Sequence, residues 1–124
     1  MNIFDYLQVV DGSCRLRPTG TMSIVDAVEL VTRAIEYCRA RRIRKLLVDV
    51  TGVSGLPAPT QVDRFLMVED WANAAQGMVV VAMVAPPELI DPRRFGVGVA
   101  QATGLSSQVF VTEAEAAAWL AAQA

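Results

Sequence analysis

The sequence predicts an α/β fold in one domain over residues 1–124: a mixed sheet of about five strands, opened by an N-terminal hairpin, with about four helices. Three observations predict it. Short apolar runs recur along the chain, bounded by Gly, Pro or Asp, as strands require. Longer stretches between the later runs carry apolar residues at three- and four-residue steps, the spacing of amphipathic helices. The 124 residues are 53% hydrophobic, enough to bury one core and too short for several domains.

Ile3–Val10 reads as the first strand, with Phe4, Tyr6, Leu7 and Val9 set around Asp5 and Gln8. Asp11-Gly12 is a tight-turn pair. Cys14-Arg15-Leu16-Arg17 then alternates apolar and charged residues, so the two runs make an antiparallel hairpin, ended by Pro18 and Gly20. Ser23 is a helix N-cap with Asp26 in its first turn, and Val28, Val31, Ile35 and Cys38 form one apolar stripe to about Arg41. Lys45–Val50 is a short, nearly continuous apolar run, which suits a strand covered on both faces. Thr51–Pro59 is a loop marked by Gly52, Gly55, Pro57 and Pro59. A second helix spans Thr60–Gln76 and is closed by Gly77. Met78–Ala85 is the most apolar strand, stopped by Pro86-Pro87. Asp91-Pro92 opens a third helix carrying Phe95, Val99 and Ala102 and ending at Gly104. Gly96 and Gly98 inside it imply close packing or a later helix start. Ser107–Val111 is the last strand, and Thr112-Glu113-Ala114-Glu115 is a capping box before an alanine-rich helix with Trp119 and Leu120.

Composition excludes several function classes. With no histidine, the chain cannot build a Ser-His-Asp, Cys-His or His-ligated zinc site by itself. Cys14 and Cys38 match no metal spacing and no C-x-x-C motif, so no metal or cofactor is expected. The formal net charge of −2 offers nothing to hold a nucleic-acid backbone. The basic run Arg39, Arg41, Arg42, Arg44 and Lys45 reads as charge closing a helix, with a small anion patch as the alternative. Arg93 and Arg94 are solvated charge or an anion contact. The longest apolar stretch, Met78–Pro87, is too short to span a bilayer. Met1–Val10 lacks the features of a secretory leader, so the expected setting is a reducing cytoplasm with free thiols.

Three features are candidates for function. The first is the loop from Asp49 to Asp63, which leaves a central strand at its carboxyl end, where open sheets bind ligands. It offers the hydroxyls of Thr51, Ser54 and Thr60, with Thr60 also suited to capping the next helix. The second is Asp49, a carboxylate in an apolar strand; buried, it needs hydrogen bonds, expected from loop N–H groups, and a ligand-binding acid is the alternative. The third is the second helix, where Phe65, Leu66, Met67 and Val68 point all round. Val62, Phe65 and Ala72 are expected to face the sheet. Met67, Trp71 and Ala74 then make a second stripe, which is core against a neighbouring helix, a protein or homodimer interface, or an apolar ligand slot.

From Arg15 to Leu66 the chain resembles a STAS domain, the module shared by anti-sigma-factor antagonists and sulfate transporter tails. The residues that carry the resemblance are Leu46-Leu47-Val48-Asp49-Val50-Thr51-Gly52-Val53-Ser54, with the element order of the whole chain. The turn from Arg17 to Thr21 and the ending from Val109 to Trp119 suit a divergent bacterial branch of that family. The resemblance implies a non-enzymatic regulatory module with a protein partner, such as a regulatory kinase or an anti-sigma factor. It also implies a phosphorylated serine or threonine at the start of the second helix. The family's Asp-Ser-Ser-Gly pattern falls here on Pro57, Ala58, Pro59 and Thr60, so the usual serine is Ala58. Thr60, two positions on, is the candidate substitute, and Ser54 a weaker one.

The alternative reading is a small apolar ligand or lipid-binding domain with a slot between the second and third helices, lined by Leu56, Phe65, Met67 and Phe95. An enzyme would need convergent ionisable groups, and the sequence shows no such cluster.

Overall fold

A computed structural model describes residues 2–91 and 95–124 of the chain. The Asn2 side chain accepts from the Phe4 N–H at 3.0 Å and starts a single 3-10 turn over Ile3–Asp5. The turn buries Ile3 and replaces the first half of the expected Ile3–Val10 strand. Strand β1 is therefore only Leu7–Val10, paired antiparallel with β2, Ser13–Leu16. The connection has φ of 50° at Asp11 and 78° at Gly12, the doubly left-handed turn that matches strand twist.

Strand β3, Gly20–Thr21, precedes helix α1, Ile24–Ala40, which Ser23 caps by accepting from the Asp26 N–H at 3.1 Å. Strand β4 is Lys45–Asp49, and β5, Val53–Ser54, lies within the expected loop. Helix α2 is Gln61–Ala75, β6 is Val80–Val84, and a 3-10 turn covers Pro87–Leu89. Helix α3 is Phe95–Thr103, β7 is Ser107–Phe110, and helix α4 is Glu113–Ala121. The expected opening of α3 at Pro92 and the Arg93–Arg94 patch lie outside the described residues, as does the side chain of Phe95. Gly98 is not a close-packing site: a Cβ there would meet nothing within 4 Å. Thr112 caps α4, but its hydroxyl donates to the Glu115 carboxylate at 2.9 Å. The reciprocal box expected there forms instead at Thr60 and Asp63.

The main sheet has five strands in the order β1-β2-β4-β6-β7, parallel from β2 onward. β3 and β5 form a separate parallel pair. Alternation along β4 decides the layers. Leu46 and Val48 join the larger core under α1, α2 and α3. Leu47 joins Val80, Ala82 and Val84 under Ala116 and Leu120 of α4 on the opposite face. The basic run ends on that helix: Arg44 Nε donates to the Ala124 carbonyl at 2.7 Å, and Lys45 Nζ to the Ala121 carbonyl at 3.5 Å. Cations at the carbonyl end of α4 favour its dipole.

Helix α2 is turned the other way from the expectation. Its buried side chains are Val68, Trp71, Ala74 and Ala75, while Val62, Phe65 and Leu66 are 67%, 42% and 53% exposed. Phe65 therefore does not face the sheet, and the Met67, Trp71 and Ala74 stripe is not a spare surface. The reason is the helix's neighbours. α2 packs mainly on α1 and α3 rather than on the sheet, so the side wide enough to meet both is the one that is buried. Trp71 completes that contact with its Nε1–H donating to the Val28 carbonyl of α1 at 3.4 Å.

Candidate functional site

The β4–α2 loop is a built structure. Asp49 ends β4 with its carboxylate half-exposed, not buried as expected, because the strand stops at the sheet's carboxyl edge. Its Oδ1 accepts from the Thr51 N–H at 2.9 Å and the Thr51 hydroxyl at 2.6 Å, the local turn that short acids favour. Next, β5 is held to β3 by the Gly20 N–H on the Gly52 carbonyl at 3.2 Å and the Met22 N–H on the Ser54 carbonyl at 3.3 Å. The Thr21 and Ser54 hydroxyls bond each other at 3.0 Å. Gly52 permits this closeness, since a Cβ there would sit 3.1 Å from the Thr19 methyl and 3.2 Å from the Pro18 carbonyl oxygen. Gly55 has φ of +83°, a conformation side chains resist.

Thr60 closes the loop. Its hydroxyl accepts from the Asp63 N–H at 3.0 Å, and Asp63 accepts from the Thr60 N–H at 2.9 Å. Thr60 is exposed at the positive end of α2. Of the other expected residues, Leu56, Met67 and Trp71 converge. They line one apolar cavity of about 150 Å³ between α1, α2 and the sheet, together with Val28, Val31 and Met83. Phe65 does not line it. It stands outside with Val62 and Leu66, beside a shallow groove between α1 and α2 that holds Val25, Leu66, Asp63 and Asp70.

Sequence reasoning missed one cluster. Arg17, just past β2, donates from Nε to Glu113 Oε2 at 2.9 Å and from Nη2 to Glu113 Oε1 at 2.6 Å, a forked pair across 96 residues. The Arg17 guanidinium holds the Glu113 carboxyl down to about 2, and Asp49 stands next to it in the same cluster. The only advance signal is weak: Arg17 falls on the sheet face of Arg15 and Leu47, and Glu113 opens the helix that covers that face. Elsewhere, Cys14 of β2 and Cys38 of α1 are both buried, and burial pushes both thiols up. Among the described residues, no three His, Cys, Asp or Glu side chains converge as metal ligands would. No helix among them is long and apolar enough to cross a membrane.

The chain matches no family model and no curated protein sequence. Among solved structures it is similar to the anti-sigma-factor antagonist SpoIIAA in its unphosphorylated form. That likeness has a TM-score of 0.54 at 15% identity and covers 94% of this chain and 97% of that one. An uncharacterised protein from Shewanella loihica PV-4 with a SpoIIAA-like fold gives a TM-score of 0.49 at 17% identity, over 92% of this chain and 90% of that one. The chain has the SpoIIAA-like, STAS-type fold.

Proposed function

We propose that this chain is a non-enzymatic regulatory module that binds a protein partner through the β4–α2 loop and the outer face of α2. The observation that carries the reading is the exposure of Val62, Phe65 and Leu66 on one side of α2, next to that loop. Exposed Val25 at the start of α1 extends the strip across the groove, and Glu29, Asp63 and Asp70 stand beside it. A fitting partner presents apolar side chains flanked by Lys or Arg, which supplies both burial and charge complementarity. Shared fold with an anti-sigma-factor antagonist makes an anti-sigma factor or a regulatory kinase the first candidate. A second copy of the chain on the same strip, giving a homodimer, is the competing occupant.

Regulation by phosphorylation falls on Thr60 in this reading, with Ala58 at the family's usual serine position. A phosphate on the Thr60 oxygen would meet the free N–H groups of the first turn of α2, which favour an anion. It would also face the Asp63 carboxylate, which now accepts from the Thr60 N–H, so the box would open. Ser54 is the second candidate; its hydroxyl already bonds Thr21.

The test is photo-crosslinking in the native host from position 66, with exposed Ala117 of α4, on the opposite face of the sheet, as control. One partner protein crosslinked from 66 and not from 117, and lost on Val62→Glu without a change in melting temperature, supports the reading. Equal capture from both positions, or indifference to Val62→Glu, sinks it. Crosslinking only to the chain itself assigns the strip to a homodimer.

A further inference from the structure

We infer that this chain binds a small, mostly apolar molecule with a hydrogen-bond-accepting head group, in the cavity between α1, α2 and the sheet. The inference is independent of the regulatory reading. The cavity holds about 150 Å³, room for a benzene-sized molecule, and is partly open to solvent. Val28, Val31, Leu56, Met67, Trp71 and Met83 supply walls with almost nothing for water to bond. Filling such a space with hydrocarbon gains dispersion contacts that water cannot replace. Two thioethers and an indole suit a flat aromatic ring in particular, through sulfur–ring and ring–ring contacts.

The head group is specified by Arg64, which also lines the cavity and is half-buried. Among the described residues it makes one hydrogen bond, from Nη2 to the Leu89 carbonyl at 3.2 Å. A guanidinium carries five N–H donors, so several remain to meet a carbonyl or carboxylate. Asp91 lines the same cavity and is itself engaged. Leu56, Pro57 and Pro59 form the loop side of the cavity, so a bound molecule touches the segment that leads to Thr60.

The geometry provides its own reporters. Met67 and Met83 line the cavity, whereas Met22 and Met78 do not. The protein is labelled with carbon-13 at its methionine methyl groups and titrated with toluene, then with benzoate. Saturable shifts at Met67 and Met83, with Met22 and Met78 still, are expected for both probes. Arg64→Leu should weaken benzoate about tenfold, the loss of one charge-assisted hydrogen bond, and leave toluene unchanged. Ala27→Leu, which adds bulk at a lining position, should weaken both. No shift at Met67 and Met83 up to the solubility limit of either probe overturns the site, and so do equal shifts at Met22, Met67, Met78 and Met83. Benzoate binding indifferent to Arg64→Leu overturns the head-group assignment. The wild-type titration decides the site even if a variant fails to fold.

Discussion

Replacing Trp71 by alanine should cost about 3–5 kcal/mol of folding stability. The indole is 5% exposed. A tryptophan side chain buries roughly 200 Å², and at about 25 cal/mol per Å² that is about 5 kcal/mol of transfer free energy. Alanine keeps a little of this, and partial collapse of Met67 and Val28 into the space recovers some. Trp71 already borders a cavity, so truncation enlarges it and recovery is incomplete. The indole hydrogen bond contributes little. It is long, at 3.4 Å, and the Val28 carbonyl also accepts from the Thr32 hydroxyl at 2.8 Å, so removing the indole leaves no unpaired acceptor. Trp71→Phe should therefore cost far less than Trp71→Ala. Urea unfolding followed by far-UV circular dichroism measures both, and the slope should match wild type. The alanine variant should also melt about 15 °C lower, from the usual entropy per residue. A cost under about 1 kcal/mol, with a drop in oligomeric mass, would refute the packing argument and make Trp71 an interface residue.

Three other outcomes follow from the geometry. Thr60→Ala should lose about 1 kcal/mol from the broken capping box, and Thr60→Ser should restore it, read by the same denaturation. Glu113 has a folded-state value near 2, below its ordinary 4.5, so its ionisation stabilises the fold above about pH 4.5 and that contribution fades as pH falls toward 2. Glu113→Gln should be less stable than wild type at neutral pH and converge with it in that acid window. Side chains 39% and 35% exposed keep the difference to about 1 kcal/mol, and a gap that persists at pH 2 would contradict the assignment. Cys14 and Cys38 should resist iodoacetamide in the native protein and react once it is unfolded, since burial keeps both as thiols; quick native alkylation, followed by mass spectrometry, would argue against the packing of β2 on α1.

Legibility in the sequence tracked the range of the interaction. Ser23 and Asp26, the stripe Val31, Ile35 and Cys38, and the Asp11-Gly12 turn are local, and each stands where its spacing places it. The Ile3–Asp5 turn was hidden because Phe4 and Tyr6 look like strand residues, while the side chain that decides the matter is Asn2. β3 and β5 are two residues each and leave no periodic trace. In α2 the sequence offers apolar residues all round, and only the position of α1 and α3 selects Trp71 over Phe65 as core. For the candidate site, the Asp49–Thr51 turn and the cap at Thr60 are neighbours in sequence and were readable. The convergence of Leu56, Met67 and Trp71 with Val28 and Met83 joins four separate elements. The Arg17–Glu113 pair spans 96 residues, beyond any local pattern.

The back of the sheet sets an order for folding in the cell. Domains emerge from the ribosome at about 5–20 residues per second, N-terminal segment first. The hairpin, α1, α2 and most of the larger core can assemble before α4 appears. Leu47, Val80, Ala82 and Val84 cannot be covered until α4 has been made, because Ala116 and Leu120 are what lies over them. For that interval the nascent domain carries a flat apolar sheet face, the surface on which a holding chaperone acts. The Arg17–Glu113 fork joins segments made 96 residues apart, and it forms only as α4 docks and covers that face.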